Sequence, residues 1–202
     1  MKIESLAQFF PILTILPASV GCAPHLTTTG DTGEPYQWTA PDNSWDVNEV
    51  PEDLRSDGFT AGDVPTDLRG LDQFGDEVSL WQFYGDVIVV DISTMWCAPC
   101  QEIAEDVEET WLEYKDQGVT YITVIPQNFE YETPTTEDLV AWSEAFGITA
   151  PIIADADNWS DNLVTGNAFP KVLLLDREMK IAVPNVIPLS DPQIRLEIES
   201  LL

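Results

Sequence analysis

The chain has 202 residues, with 36 Asp and Glu against 8 Lys and Arg and a single histidine, for a formal charge of −28. That length supports one domain plus an extension, and 44% apolar with 10% aromatic residues suffices to pack a core despite the charge. So acidic a surface repels phosphate backbones and excludes nucleic acid, while a lone histidine, His25, excludes multi-histidine metal sites and argues against Ser–His–Asp catalysis.

Residues 1–22 read MKIESLAQFFPILTILPASVGC. Lys2 precedes an apolar run from Leu6 to Val20 that is short and broken by Pro11 and Pro17, which suits a secretory signal better than a membrane span. Ser19-Val20-Gly21-Cys22 resembles the end of a bacterial lipoprotein signal. This implies cleavage of residues 1–21, lipidation of Cys22 and attachment to the membrane through that lipid. Ser19 stands where leucine is usual and Glu4 is atypical, so plain secretion, with Cys22 lost or left free, stays open beside it. The implied location is the bacterial cell envelope, lipid-anchored and facing the periplasm or exterior. Ala23 after the cysteine favours the outer membrane.

Residues 22–65 hold five prolines, Thr27-Thr28-Thr29 and nine acids against Arg55 alone, the composition of an extended, self-repelling tether. Its aromatics Tyr36, Trp38, Trp45 and Phe59 do not suit a solvated linker. The stretch from about Tyr36 is therefore expected to pack as an arm on the domain at 66–202.

From Pro65 strands alternate with helices. Asp67–Leu71 and Glu77–Leu80 flank a turn at Gln73–Asp76 as a hairpin, and Asp86–Ser93 is a β-branched apolar run suited to a strand covered on both faces. A helix from about Ala98 to Gln117 carries the apolar stripe Ile103, Val107, Trp111, Leu112 and stops at Gly118. Val119–Ile125 reads as a buried strand and Thr136–Phe146 as a helix closed by Gly147. Lys171–Asp176 and Lys180–Val183 form a second hairpin. Ser190 caps a last helix with Pro192 in its first turn. The order ββ–β–α–β–α–β–β–α predicts an α/β domain: a central mixed β-sheet flanked by helices on both faces, with an N-terminal β-hairpin extension.

Trp96-Cys97-Ala98-Pro99-Cys100 follows the central strand and opens the helix. Two thiols at this spacing are within disulfide reach, and the helix N-terminus favours a thiolate at Cys97. Cys97 is thus the expected exposed nucleophile and Cys100 the buried resolving thiol, with Pro99 stiffening the loop. A zinc site would have only Cys22 and His25 to add, both across the tether, and a purely structural disulfide across two residues is strained. A peroxidatic cysteine wants Pro-x-x-x-Thr-x-x-Cys; Thr94 is in place, but Val90 holds the proline position. Spacing and context favour dithiol–disulfide exchange at a redox-active Cys97–Cys100 pair, with neither metal nor cofactor.

Over about Gly62–Leu202 the chain resembles the thioredoxin superfamily, and more narrowly the membrane-tethered TlpA/ResA-type thiol–disulfide oxidoreductases and their redoxin relatives. The resemblance rests on Gly62-Asp63 with Pro65, on Ser79-Leu80 with Phe83 and Gly85 leading into the central strand, on WCAPC, and on Ala168-Phe169-Pro170-Lys171. It implies that Pro170 is a cis-proline facing the dithiol and that Trp96, Pro99, Phe169 and Pro170 bind substrate, the Phe169 backbone pairing with an incoming strand. An ordinary trans-proline leading a strand is the alternative. It further implies that Asp91, six residues before Cys97, is a buried carboxylate that takes the proton of Cys100, against the alternative of a solvated strand-end acid.

This chain departs from the resemblance twice. Gln101 and Glu102 follow the second cysteine where a cation is frequent, and further acids along the helix oppose a thiolate, which favours a reducing or mid-range potential. Val186-Ile187-Pro188 stands where a glycine commonly lines the groove, and Ile187 is expected to narrow it. The implied partners are exported thiol or disulfide proteins and a membrane dithiol electron donor, with cytochrome c maturation or general disulfide reduction as the role. The competing reading is a non-enzymatic module that binds partners or senses redox state through the Pro170 groove and the aromatic arm.

Overall fold

This computed structural model describes residues 37–166 and 168–202. The signal-like segment, Cys22, His25 and Tyr36 lie outside the described residues, as does the first part of the tether. Strands β1 (Arg69–Leu71) and β2 (Glu77–Ser79) pair antiparallel. Their turn is closed by Asp72, whose Oδ1 accepts from the amides of Phe74 (2.8 Å) and Asp76 (2.9 Å). The hairpin is shorter than the sequence suggests because both ends are diverted. Asp67 turns its carboxylate onto Ser79 Oγ and the Trp81 amide, and Leu80–Phe83 wind into a 3-10 turn.

The remaining elements are β3 (Val87–Ile92), α1 (Ala98–Tyr114), β4 (Val119–Ile125), α2 (Thr136–Phe146), β5 (Ile152–Ala154), β6 (Lys171–Leu175), β7 (Ile181–Val183) and α3 (Asp191–Leu201). The five longer-range strands form one sheet in the order β5-β4-β3-β6-β7, with β3, β4 and β5 parallel and β6 and β7 antiparallel. Strand β3 sits at the centre and is buried along its whole length, as its unbroken apolar run requires. Strand β5 is absent from the sequence reading: three residues behind Pro151 are too few to show a period, and they hold an edge position where a preceding proline is tolerated. Edge and hairpin touch where β1 crosses β5. A Cβ on Gly70 would lie 2.3 Å from the Ala154 carbonyl oxygen, so only glycine fits there.

Local signals set the helix ends. Helix α1 ends at Tyr114 rather than Gln117, passing through a 3-10 turn (Lys115–Gln117) to Gly118 at φ +77°. Helix α2 opens on a reciprocal capping box, with Asp138 N donating to Thr135 Oγ1 (3.2 Å) and Thr135 N donating to Asp138 Oδ2 (2.8 Å). Ser190 holds the cap position of α3, but its hydroxyl makes no capping bond. Its carbonyl accepts from Gln193 and Ile194, and the Asp191 side chain of the first turn is bound to Arg195 and Thr110.

The sheet separates two apolar layers. Val87 and Val89 of β3, with Tyr121 and Ile125 of β4, face the layer packed by Cys100, Ala104 and Val107 of α1, Leu139 and Trp142 of α2, and Ile194 and Ile198 of α3. Ile88, Val90, Ile92, Ile122 and Val124 face the other. Helical segments cover both faces, but the second carries only 3-10 turns, Leu80–Phe83 and Trp159–Asn162, among the described residues. The arm completes that second layer with Trp38, Trp45, Leu54 and Phe59. Trp38 Nε1 donates to Ser79 Oγ (2.9 Å) and Trp45 Nε1 to Asp72 Oδ2 (2.6 Å), while Asp63 and Gly62 pair with the backbone of Ile181. The compact unit therefore runs from Gln37 to Leu202.

Candidate active site

The dithiol stands where β3 hands over to α1. Cys97 is the cap residue of α1, its amide donating to the Thr94 carbonyl (3.2 Å) and its carbonyl accepting from the amides of Cys100 and Gln101 (both 3.1 Å). Pro99 in the first helical turn needs no partner for a missing N–H. Cys97 and Cys100 are joined as a disulfide with their Cα atoms 5.2 Å apart. Cys97 retains 6% exposure and Cys100 none. Cys97 is therefore the more accessible of the two, but it is itself buried rather than open to solvent as expected.

Asp91 lies on β3 at the parity of Val87 and Val89, so its side chain enters the layer that holds Cys100 and Ala104. It is fully buried and not a solvated strand-end acid. Ser93 Oγ donates to its Oδ1 (2.7 Å), whereas Oδ2 has no hydrogen-bond partner among the described residues. Thr123 is the register neighbour of Asp91 on β4, and its buried hydroxyl is likewise unpartnered. Desolvation pushes the Asp91 carboxyl up to about 7, and the Ser93 hydrogen bond opposes this only in part. Close by, the Tyr121 phenol is raised by its own burial first and then by the Asp91 charge. A carboxyl that titrates near neutrality with a free oxygen can accept and return a proton.

The Phe169–Pro170 peptide is cis, and both residues are half-buried. Pro170 lines the same groove as Pro99, and the Phe169 ring meets Trp96 edge-on at 6.1 Å. The sequence-expected residues Trp96, Cys97, Pro99, Phe169 and Pro170 thus come together at one surface, with Cys100 and Asp91 buried in the layer behind it. Ile187 does not take the expected place. Val186 is drawn in by donating to the Val172 carbonyl (2.8 Å), so the next residue alternates outward, and Leu189 lines the groove instead.

The sequence reading missed the loop after β4. Trp96 Nε1 donates to Gln127 Oε1 (3.1 Å), the Met95 amide to the Gln127 carbonyl (3.0 Å), and the Tyr131 ring lies 5.3 Å from Trp96. Asn128 organises the loop: its Oδ1 accepts from the amides of Glu130 and Glu132 (both 3.0 Å), and its Nδ2 donates to Asp138 (3.2 Å). Phe129 and Tyr131 are left 57% and 65% exposed. The available signal was positional, since the C-terminal ends of adjacent parallel strands border the crevice of an open α/β sheet.

The AhpC/TSA family model matches residues 61–183. The chain is 29% identical over 143 residues to the thiol–disulfide oxidoreductase ResA of Geobacillus kaustophilus, covering 69% of this chain and 76% of the relative. Among solved structures, the thioredoxin domain of a thiol–disulfide oxidoreductase from Bacteroides vulgatus superposes with a TM-score of 0.58 at 25% identity, covering 70% of this chain and 96% of that one. A thiol:disulfide interchange protein DsbE from Chlorobium tepidum shares the fold, with a TM-score of 0.58 at 21% identity over 71% of this chain and 97% of that one. With the dithiol at a strand–helix junction beside a cis-proline, the chain belongs to the AhpC/TSA family as a ResA-like thiol–disulfide oxidoreductase of thioredoxin fold.

Proposed function

We propose that the protein reduces disulfides on exported proteins. The observation that carries this reading is the Cys97–Cys100 pair at the N-terminus of α1, with Asp91 buried in the layer below. The Cys97 thiolate attacks one sulfur of the substrate disulfide, forming a mixed disulfide and expelling the other sulfur as a thiolate. Asp91 takes the proton of the Cys100 thiol, and the resulting thiolate attacks Cys97. That step releases the second substrate thiol and closes the Cys97–Cys100 disulfide. Two electrons and two protons pass to the substrate in total, and a membrane dithiol donor must return them for the next cycle. Trp96, Pro99, Phe169 and Pro170 form the substrate-binding surface, with the Phe169 backbone pairing with the substrate strand. The acids along α1 support the reducing direction because they oppose the stabilisation of a Cys97 thiolate by the helix N-terminus. The lipoprotein-like segment supports lipid attachment at Cys22 in the cell envelope, facing the periplasm or exterior, and cytochrome c maturation or general disulfide reduction is the role this suits.

Insulin reduction by the reduced protein tests the reaction, with Cys97→Ser expected to abolish it and Cys100→Ser to accumulate mixed disulfides with envelope proteins. A reduction potential near about −270 mV supports the reductant, and one near about −120 mV overturns the direction. Cys22→Ala is expected to move the protein from the membrane fraction to the soluble envelope fraction.

A further inference from the structure

A groove of about 390 Å³ runs beside the dithiol between α1 and the loop leading into α3. Its floor is apolar, made by Pro99 and Ile103 on one side and by Pro170, Leu189 and Pro192 on the other. Glu102, Asp106 and Asp191 line it as well. The nearby cations are already engaged. Arg195 is bound by Asp191 (2.7 Å), Glu109 (3.5 Å) and Glu113, and the Lys171 ammonium donates to the Leu163 carbonyl (2.7 Å). Among the described residues Glu102 and Asp106 have no ion-pair partner. Asp106 is raised by desolvation first and then by repulsion from Asp191 and Glu109, which Arg195 opposes. The groove therefore pairs a hydrocarbon lining with uncompensated negative charge, and Pro99 and Pro170 make it continuous with the surface that meets the substrate.

We propose that this groove seats a lysine or arginine side chain of the substrate polypeptide, so that the protein selects cysteines lying in extended, basic segments. The long aliphatic stem of such a residue covers the proline and leucine floor, while its cationic head reaches Glu102 and Asp106. In the loop whose Tyr131 ring lies against Trp96, Glu130 and Glu132 alternate with the exposed Phe129 and Tyr131, so that loop offers the same pairing of apolar surface and negative charge. The inference rests on the disulfide-exchange reading and adds the chemistry of the segment that is recognised.

Cyclic disulfide peptides identical except for flanking Lys, Gln or Glu residues provide the test, reacted with the reduced protein and followed by the fluorescence change of Trp96. The Lys peptide is expected to react about tenfold or more faster than the Glu peptide at low ionic strength, through a lower half-saturation concentration rather than a higher limiting rate. Added salt should shrink the ratio. The doubly reversed variant Glu102→Lys/Asp106→Lys should invert the ranking, and because the ratio is taken within one preparation, a general loss of activity cancels. Lys and Glu peptides reacting within about twofold of each other would overturn the proposal. So would a reversed variant that keeps the Lys preference, since the preference would then come from acids outside this groove, whether Glu130 and Glu132 or the −28 of the whole chain. Failure of the wild type to react with any peptide or with uncharged hydroxyethyl disulfide would instead sink the exchange reading itself.

Discussion

Replacing Asp91 by asparagine isolates the cost of keeping an ionisable group under the dithiol. The carboxyl rises from 3.8 to about 7, chiefly by desolvation. A shift of about three units at about 1.4 kcal/mol each amounts to about 4 kcal/mol. Between about pH 4 and pH 7 the folded protein holds a proton on Asp91 that the unfolded chain has lost, so this residue's contribution to stability falls as pH rises and levels off above the folded value. Asparagine cannot ionise. Whatever fixed cost its amide carries, the stability of Asp91→Asn relative to wild type should climb by about 4 kcal/mol between pH 4 and pH 8, in favour of the variant. All other acids titrate alike in both proteins and cancel in the difference. Urea unfolding of the two oxidised proteins at pH 4, 6 and 8 measures this directly. A difference constant to within about 0.5 kcal/mol would show that Asp91 is not perturbed and would remove its claim to the resolving proton. In the reduced protein the same variant should slow resolution of the mixed disulfide by about 10²-fold or more, the loss easing at high pH as Cys100 ionises unaided.

Three further outcomes follow from particular contacts. Gly70→Ala should destabilise the protein by more than about 2 kcal/mol in denaturant melts, because the new Cβ meets the Ala154 carbonyl, which cannot move without shifting β5. Trp45→Phe should cost about 2 kcal/mol by leaving the buried Asp72 Oδ2 without its donor; a cost below about 0.5 kcal/mol would mean that the arm is only loosely held. Asn128→Ala removes the hub of the Phe129–Glu132 loop and should raise the half-saturation concentration for peptide disulfides while leaving the reaction with hydroxyethyl disulfide within about threefold of wild type; equal losses on both substrates would place its effect on the dithiol instead.

Legibility from sequence followed the range of the interactions involved. Strand β3, the start of α1 and the capping box of α2 are written in neighbouring residues, and they appear where the pattern places them. Strand β5 and the shortened hairpin do not, because three-residue strands exist only through partners distant in sequence: β4 for the first, and the Asp67, Ser79 and Trp81 contacts for the second. Ser190 had the right residue type for a cap, but its hydroxyl makes no capping bond and the serine serves through its backbone, while the neighbouring Asp191 is held by Arg195 one turn along α3 and by Thr110 of α1.

By itself the sequence determined the chemistry. Two cysteines three residues apart, behind a buried strand and at a helix start, specify a reactive dithiol because helix N-terminus, spacing and proline act within a single turn. Tertiary structure alone decided what surrounds it. Strand parity and packing of α1 put Asp91 in the layer of Cys100, and pairing of β3 with β4 brought Gln127 and Tyr131 to Trp96. Closure of the second layer decided which partners hold the arm that its aromatics led one to expect, Trp38 on Ser79 and Trp45 on Asp72. Local sequence sets backbone conformation and intrinsic reactivity. Desolvation and groove shape arise only when distant segments exclude water together.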